Sequence, residues 1–198
     1  MELRPFTAAD ARSLDEVCIR TGQHGGDASQ LYEEPTLLCD LYLRPYLALE
    51  PSLAFVAVRH GRPLGYIVGT ADTLAFAARC ENEWWPALRA RHPRPADGDN
   101  SPDAQLLRRL HQGVGMETLP FLSDHPAHLH IDLLPEAQGH GMGRRLMERL
   151  FAALRERGAA GVHLGVSALN ERALAFYRRM GFDTLQPQPW GEWMGRRL

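Results

Sequence analysis

The chain has 198 residues, of which 44% are hydrophobic, and a formal net charge of −2 from 22 Lys+Arg against 24 Asp+Glu. That length can bury one substantial core and reads as a single domain, residues 1–198. The near-neutral balance gives neither nucleic acid nor an anionic membrane an electrostatic footing as a bulk partner. The three cysteines, Cys18, Cys39 and Cys80, show no metal spacing and are an odd number, which suits free thiols in a reducing cytoplasm. No charged-then-apolar leader or long apolar run occurs, so neither secretion nor a membrane span is indicated.

In chain order, Glu2-Leu3-Arg4-Pro5-Phe6-Thr7 reads as a short strand, with Thr7 placed to cap a helix over residues 8–19. Residues 22–30 form a glycine-rich loop, and a second helical stretch covers 35–43 before the break at Arg44-Pro45. Two β-rich runs, 52–59 and 63–69, flank the hairpin signal His60-Gly61-Arg62. Residues 72–126 then form a long helical insertion: a helix over 74–90 carrying Trp84 and Trp85, a Pro/Asp/Gly-rich linker at 93–102, and a helix near 103–111. Aromatic-bearing helices argue against a disordered connection, and connections this long are usually functional. Trp84, Trp85, Trp190 and Trp193 are expected mainly to pack. The fourth strand, Ala127-His128-Leu129-His130-Ile131-Asp132-Leu133-Leu134, alternates so that Leu129, Ile131 and Leu133 share one face and His128, His130 and Asp132 the other.

The most informative stretch follows it: Pro135-Glu136-Ala137-Gln138-Gly139-His140-Gly141-Met142-Gly143-Arg144-Arg145. It reads as a glycine-rich turn running into an amphipathic helix. Glycine takes positive φ without a Cβ clash, so alternate glycines let backbone N–H groups curl inward. At a helix N-terminus such a turn is an anion site, suited to a pyrophosphate. A nucleotide-hydrolase loop would need Lys and then Ser or Thr, and the chain has no lysine. A dinucleotide fold would need Gly-x-Gly-x-x-Gly and an acidic residue ending the next strand, and Val162-His163-Leu164-Gly165-Val166-Ser167 ends without one.

After that strand, Asn170 stands at a helix N-cap with Glu171 in the first turn, and Gly181 where a glycine would stop the helix. Asn170, Ala173 or Leu174, and Tyr177 share one helical face. Residues 182–188 and 193–197 read as a closing antiparallel pair turned at Gln188-Pro189-Trp190-Gly191.

Gln138-x-x-Gly141-x-Gly143, followed by Asn170-x-x-Ala173-x-x-Phe176-Tyr177-x-x-x-Gly181-Phe182, resembles the paired signatures of the GNAT superfamily of acyl-CoA-dependent N-acetyltransferases. The element order matches that fold over most of the chain. The resemblance implies an α/β (α+β) architecture: a mixed, largely antiparallel sheet of about six to seven strands, splayed between the fourth and fifth, with helices on both faces. It implies acetyl-CoA as co-substrate, an amine acceptor, and direct transfer in a ternary complex. Gln138, Gly139, His140 (through its backbone), Gly141, Met142, Gly143 and Arg144 would hold the pyrophosphate. Asn170, Ala173 and Phe176 would line the pantetheine side, and a backbone N–H near Leu133 or Leu134 would polarise the thioester. Gly65-Tyr66-Ile67-Val68-Gly69-Thr70-Ala71-Asp72, Cys80, Trp84-Trp85-Pro86 and Leu119-Pro120 further resemble the acetyltransferase-like domain of eukaryotic O-GlcNAc hydrolases, which has free-standing bacterial relatives. The eukaryotic version lacks the glycine loop that this chain keeps.

Tyr177 is a candidate acid for a leaving thiolate, since a phenol is protonated at neutral pH; the plainer reading is an amphipathic core aromatic. Asp132 is a candidate base or acceptor anchor, or else a structural carboxylate. His130 could share the base role, whereas His128 reads as structural. His125-x-x-His128-x-His130-x-Asp132 could also hold a metal, but the family reading explains the strand without one, and none is expected. A second function class stays open: a catalytically silent acyl-CoA-binding or partner-recognition module, which would not need a thiolate acid. Trp190 and the terminal strand would suit a homodimer.

Overall fold

In the computed structural model, residues 1–113 and 118–198 are described; residues 114–117 of the expected insertion lie outside the described residues. Seven strands form one sheet in the order β1-β2-β3-β4-β5-β7-β6. They are β1 (Glu2–Pro5), β2 (Phe55–Arg59), β3 (Arg62–Thr70), β4 (Ala127–Leu133), β5 (Gly161–Ser167), β6 (Asp183–Gln188) and β7 (Gly191–Arg197). Every neighbouring pair is antiparallel except β4 with β5. That parallel pair holds only at Ala127↔Val162 and His128↔His163, after which the strands part. The mixed, splayed sheet expected from the sequence is present.

The strand alternation assigns the two faces. Phe55, Ala57, Ile67, Ala127 and Leu129 pack with Leu146, Leu150 and Leu154 of α7 (Met142–Glu156) and with Tyr177 of α8 (Glu171–Arg179). Val56, Val58, Tyr66 and Val68 face the other way, onto Leu14, Val17 and Cys18 of α1 (Ala11–Thr21). Helices α2 (Thr36–Tyr42), α3 (Arg44–Leu49), α4 (Thr73–Arg79), α5 (Trp85–Arg91) and α6 (Pro102–Gln112) complete that layer through Leu37, Tyr46, Phe76, Leu88 and Leu110.

Several boundaries differ from the sequence reading for local reasons. The first helix begins as a 3-10 turn at Ala8–Asp10, where the Asp10 carboxylate accepts from the Thr7 N–H at 2.9 Å and pairs with Arg4 at 2.7 Å. Arg44-Pro45 opens α3 rather than ending structure, because proline fits a first helical turn, where its N–H would be orphaned anyway. The helix expected over 74–90 is interrupted by a π-turn at Cys80–Trp84, just before Pro86. Pro86 has no N–H to give and its ring crowds the carbonyl four residues back, so the ladder widens and restarts. The terminal strand β7 is hydrogen-bonded to both β5 and β6, so it offers no free edge to a second copy; β1 and β6 are the edges.

Candidate active site

Where β4 and β5 part, the gap opens into a cleft of about 970 Å³ that runs between both faces of the sheet. Its walls come from the β4 end, the turn into α7, one face of α8, and the end of α1 with the loop that follows it.

The turn into α7 is built as the glycine spacing requires. Gly139 and Gly141 have φ of +79° and +71°, in the left-handed region where only glycine is unstrained. Gly143 lies flush beneath Phe176, whose Cζ would be 3.2 Å from any Cβ placed there. The N–H groups of Gly139 through Arg144 have no acceptor among the described residues; the first one bonded is that of Arg145, to Gly141 O at 3.1 Å. They are the orphan donors of a helix start, aligned with the positive end of its dipole. Arg144 lines the same end and is largely exposed, 3.6 Å from Glu148. The arrangement can hold a polyphosphate by backbone alone. Gln138 uses its side chain differently: Nε2 donates to Leu133 O at 2.6 Å, tying the turn to the end of β4. His140 is exposed and does not line the cleft.

That bond also fixes which β4 groups face the gap. Amide orientation alternates along a strand. The Leu134 N–H donates to Leu64 O on the β3 side at 2.9 Å, so Leu134 cannot polarise anything in the gap, and its side chain is buried. Leu133, one residue back, presents its peptide edge to the gap and lines the cleft.

On α8, Asn170 caps the helix by accepting from Ala173 N at 3.1 Å. Its Nδ2 is left on the cleft side, close to Gly25, where an added Cβ would lie 3.0 Å from it. Ala173, Phe176 and Tyr177 line the cleft. Tyr177 is buried between Phe176 and Phe182, and its hydroxyl has no hydrogen-bond partner among the described residues. Burial and the nearby Asp132 push this phenol well above its ordinary pKa, so it is a proton donor throughout the neutral range.

Asp132 lies on the opposite wall. Tyr66, its cross-strand partner on β3, donates to Asp132 Oδ2 at 2.6 Å. Thr21 of α1 lines the same wall, its hydroxyl donating back to Val17 O at 2.7 Å. Burial raises the Asp132 carboxyl, and the Tyr66 hydrogen bond opposes that rise. Such a group can accept a proton near neutral pH.

His130 and His128 belong to a separate chain under the insertion. Thr73 Oγ1 is 2.7 Å from Pro126 O, which can only accept, so the threonine in turn accepts from His128 Nδ1 at 2.7 Å. His128 Nε2 then accepts from Tyr46 O–H at 2.7 Å, and the Tyr46 oxygen takes the His130 Nε2–H at 3.2 Å. Both ring nitrogens of His128 are thereby used for structure, and burial keeps both histidines neutral, His130 down at about 4. Neither histidine lines the cleft. Trp85 and Trp84 pack as expected, the latter with Nε1 on Asp40 O at 3.0 Å; Trp193 packs on His163, while Trp190 is 45% exposed.

Two contributors escaped the sequence reading. The end of α1 and the loop after it bring Thr21, Gln23, His24, Gly25 and Gly26 into the cleft wall, the loop shaped by reciprocal Gln23–Gly26 backbone bonds of 2.9 and 2.8 Å. His24-Gly25-Gly26 was a turn signal, but nothing in it announced which cavity it would border. Tyr66 had no signal of its own, since its partner is 66 residues away.

The comparisons with known proteins follow this geometry. The family model described as "Acetyltransferase (GNAT) family" matches residues 25–182. Protein O-GlcNAcase of Rattus norvegicus is 25% identical over 182 residues, covering 90% of this chain and 20% of that protein, so the chain spans about a fifth of that curated relative. The crystal structure of SsHAT superposes with a TM-score of 0.94 at 40% identity, covering 99% of this chain and 97% of that one. The PaiA N-acetyltransferase of Thermoplasma acidophilum, solved in complex with coenzyme A, shares the fold at a TM-score of 0.61 and 15% identity, over 100% of this chain and 98% of that one. With a family model matched along most of its length, and the loop, cap and splay found where that family's signatures lie, this chain belongs to the acetyltransferase (GNAT) family.

Proposed function

We propose that residues 1–198 form one acetyl-CoA-dependent N-acetyltransferase domain, with 72–126 as its insertion, acting on an amine by direct transfer in a ternary complex. We assign it to a bacterial cytoplasm, in keeping with its three buried free thiols. The observation that carries the reading is the convergence, in one cleft, of a row of loop N–H groups unpaired among the described residues, a gap-facing strand peptide, a buried phenol and a half-buried carboxylate.

Acetyl-CoA would supply the activated acetyl group and a thiolate leaving group. The N–H groups of Gly139 through Arg144, with the Arg144 guanidinium, would bind its pyrophosphate, and Asn170 Nδ2 with Ala173 and Phe176 would border its pantetheine arm. The peptide N–H of Leu133 would stabilise charge on the carbonyl oxygen as the amine attacks; one such donor is typically worth about 10²–10³ in rate. Asp132 would take the proton from the ammonium, and Tyr177, held protonated, would give one to the leaving sulfur.

Single-turnover release of free CoA thiol, measured across a broad amine panel, tests the transfer. Binding of acetyl-CoA without thiol release for any amine would sink it and leave a silent binding module. Gly141→Trp tests the loop. Nothing lies within 4 Å of an added Cβ, but the φ of +71° strains any side chain there, so the substitution would both distort and block the cradle; a native circular dichroism spectrum shows that the fold itself is kept. Acetyl-CoA affinity by calorimetry should fall at least ~100-fold, given that the loop supplies the anion site; unchanged affinity would remove the site assignment.

A further inference from the structure

We infer that Tyr66 is a positioning residue for the reaction, setting both the orientation and the ionisation of Asp132; the inference rests on the acetyltransferase reading above. Tyr66 does not line the cleft and is fully buried, so it cannot meet a substrate, yet its O–H donates to Asp132 Oδ2 at 2.6 Å. The pair is imposed by backbone: Tyr66 and Asp132 are register partners on β3 and β4, and both side chains point to the α1 face. A phenol-to-carboxylate bond this short is charge-assisted, so it favours the ionised acid and fixes its plane. Asp132 Oδ2 is thus held from below, and Oδ1 is left free of Tyr66 for an incoming ammonium.

The geometry solves a problem that the site creates for itself. A carboxylate sunk between β4 and α1 is driven toward its neutral form, in which it cannot act as a base. The groups facing it are Tyr66 from β3, Thr21 and Cys18 from α1, Tyr177 from α8 across the cleft, and His130 along β4. None of these is a cation at neutral pH: His130 is kept neutral by burial, and the rest are hydroxyls or a thiol. With no cation among these groups, the carboxylate depends on hydrogen bonding to stay ionised, and the Tyr66 O–H supplies it at 2.6 Å.

The test is Tyr66→Phe, which keeps the ring in the core and removes only the hydroxyl. In the free protein, a carbon-13 NMR titration of the Asp132 carboxyl should show its pKa rising by about one unit in the variant. With the panel amine that turns over fastest, the acidic limb of kcat/KM should move up by the same amount while acetyl-CoA affinity is unchanged. A purely structural role for Tyr66 would change the melting temperature and leave both titrations in place, and that result overturns the inference. Asp132→Asn separates the two proposals. If that variant keeps the acidic limb, Asp132 is not the base, and the NMR titration alone decides whether Tyr66 controls the carboxylate.

Discussion

The two ends of the cleft are made in opposite ways. At the α7 end, the groups aimed into the cavity are peptide N–H groups from consecutive residues, placed by two positive-φ glycines and a helix start. At the β4 end they are side chains: Asp132 held by Tyr66, with the Tyr46–His128–Thr73 chain behind them under α3 and α4. The first kind of site needs only a local chain conformation and tolerates change around it. The second depends on the register of β3 against β4 and on packing from several helices, so it is specific and vulnerable.

Tyr177 stands at the seam, and its removal should give the largest effect. Tyr177→Phe is expected to lower kcat by about 10²–10⁴-fold, as loss of a general acid does, with acetyl-CoA affinity by calorimetry unchanged. Loss of affinity instead of rate would move Tyr177 to the binding end.

Acid should separate the ends next. His128, His130 and His163 are all kept neutral by burial, the last two at about 4. Their unfolded values are near 6.5, so between pH 6.5 and 4 the unfolded chain binds more protons and stability falls as pH falls. Fully buried His163 alone contributes about 2–3 kcal/mol by pH 4. Asp132, raised by burial, acts in the opposite sense as one group against these three and His125, also lowered by burial, and the contribution of Asp10, held at about 2 by Arg4, is lost only at lower pH. Thermal melts should therefore show the melting temperature dropping across pH 6.5 to 4. A flat profile there would contradict the buried neutral histidines.

The smallest effect is expected from Tyr46→Phe. It strands His128 Nε2 in the core and should cost about 1–3 kcal/mol, read by denaturant unfolding, while acetyl-CoA binding at the other end is unaltered. A matching loss of cofactor affinity would show that the two ends are coupled.

The difference between the ends also marks how far the residues alone could be read. The order of strands and helices, the turn at Gln138 to Gly143 and the Asn170 cap all follow from short-range rules: glycine at positive φ, a polar cap, alternation along a strand. The same kind of rule, read too simply, placed a break at Arg44-Pro45 and one unbroken helix over 74–90 through Pro86, because proline's effect depends on whether it meets the first or a later turn of a helix. It could not choose between Leu133 and Leu134, since only the β3 pairing shows which peptide is already bonded. Nor could it show the terminal strand enclosed between β5 and β6, which removes one of the two grounds for a homodimer.

By itself the sequence determined the glycine turn into α7, the α8 cap with Tyr177 on the same helix, and the polar stripe His128, His130 and Asp132. These depend on neighbours within a few residues, where backbone geometry leaves few choices. The tertiary structure decided what those groups do. It set Tyr66 beneath Asp132, closed His128 between Thr73 and Tyr46, withdrew Leu134 from the gap and brought the loop at Gln23 to Gly26 across the cleft. Such assignments arise from strand register and helix packing between segments far apart in the chain, and no local pattern encodes which partner a buried polar group will meet.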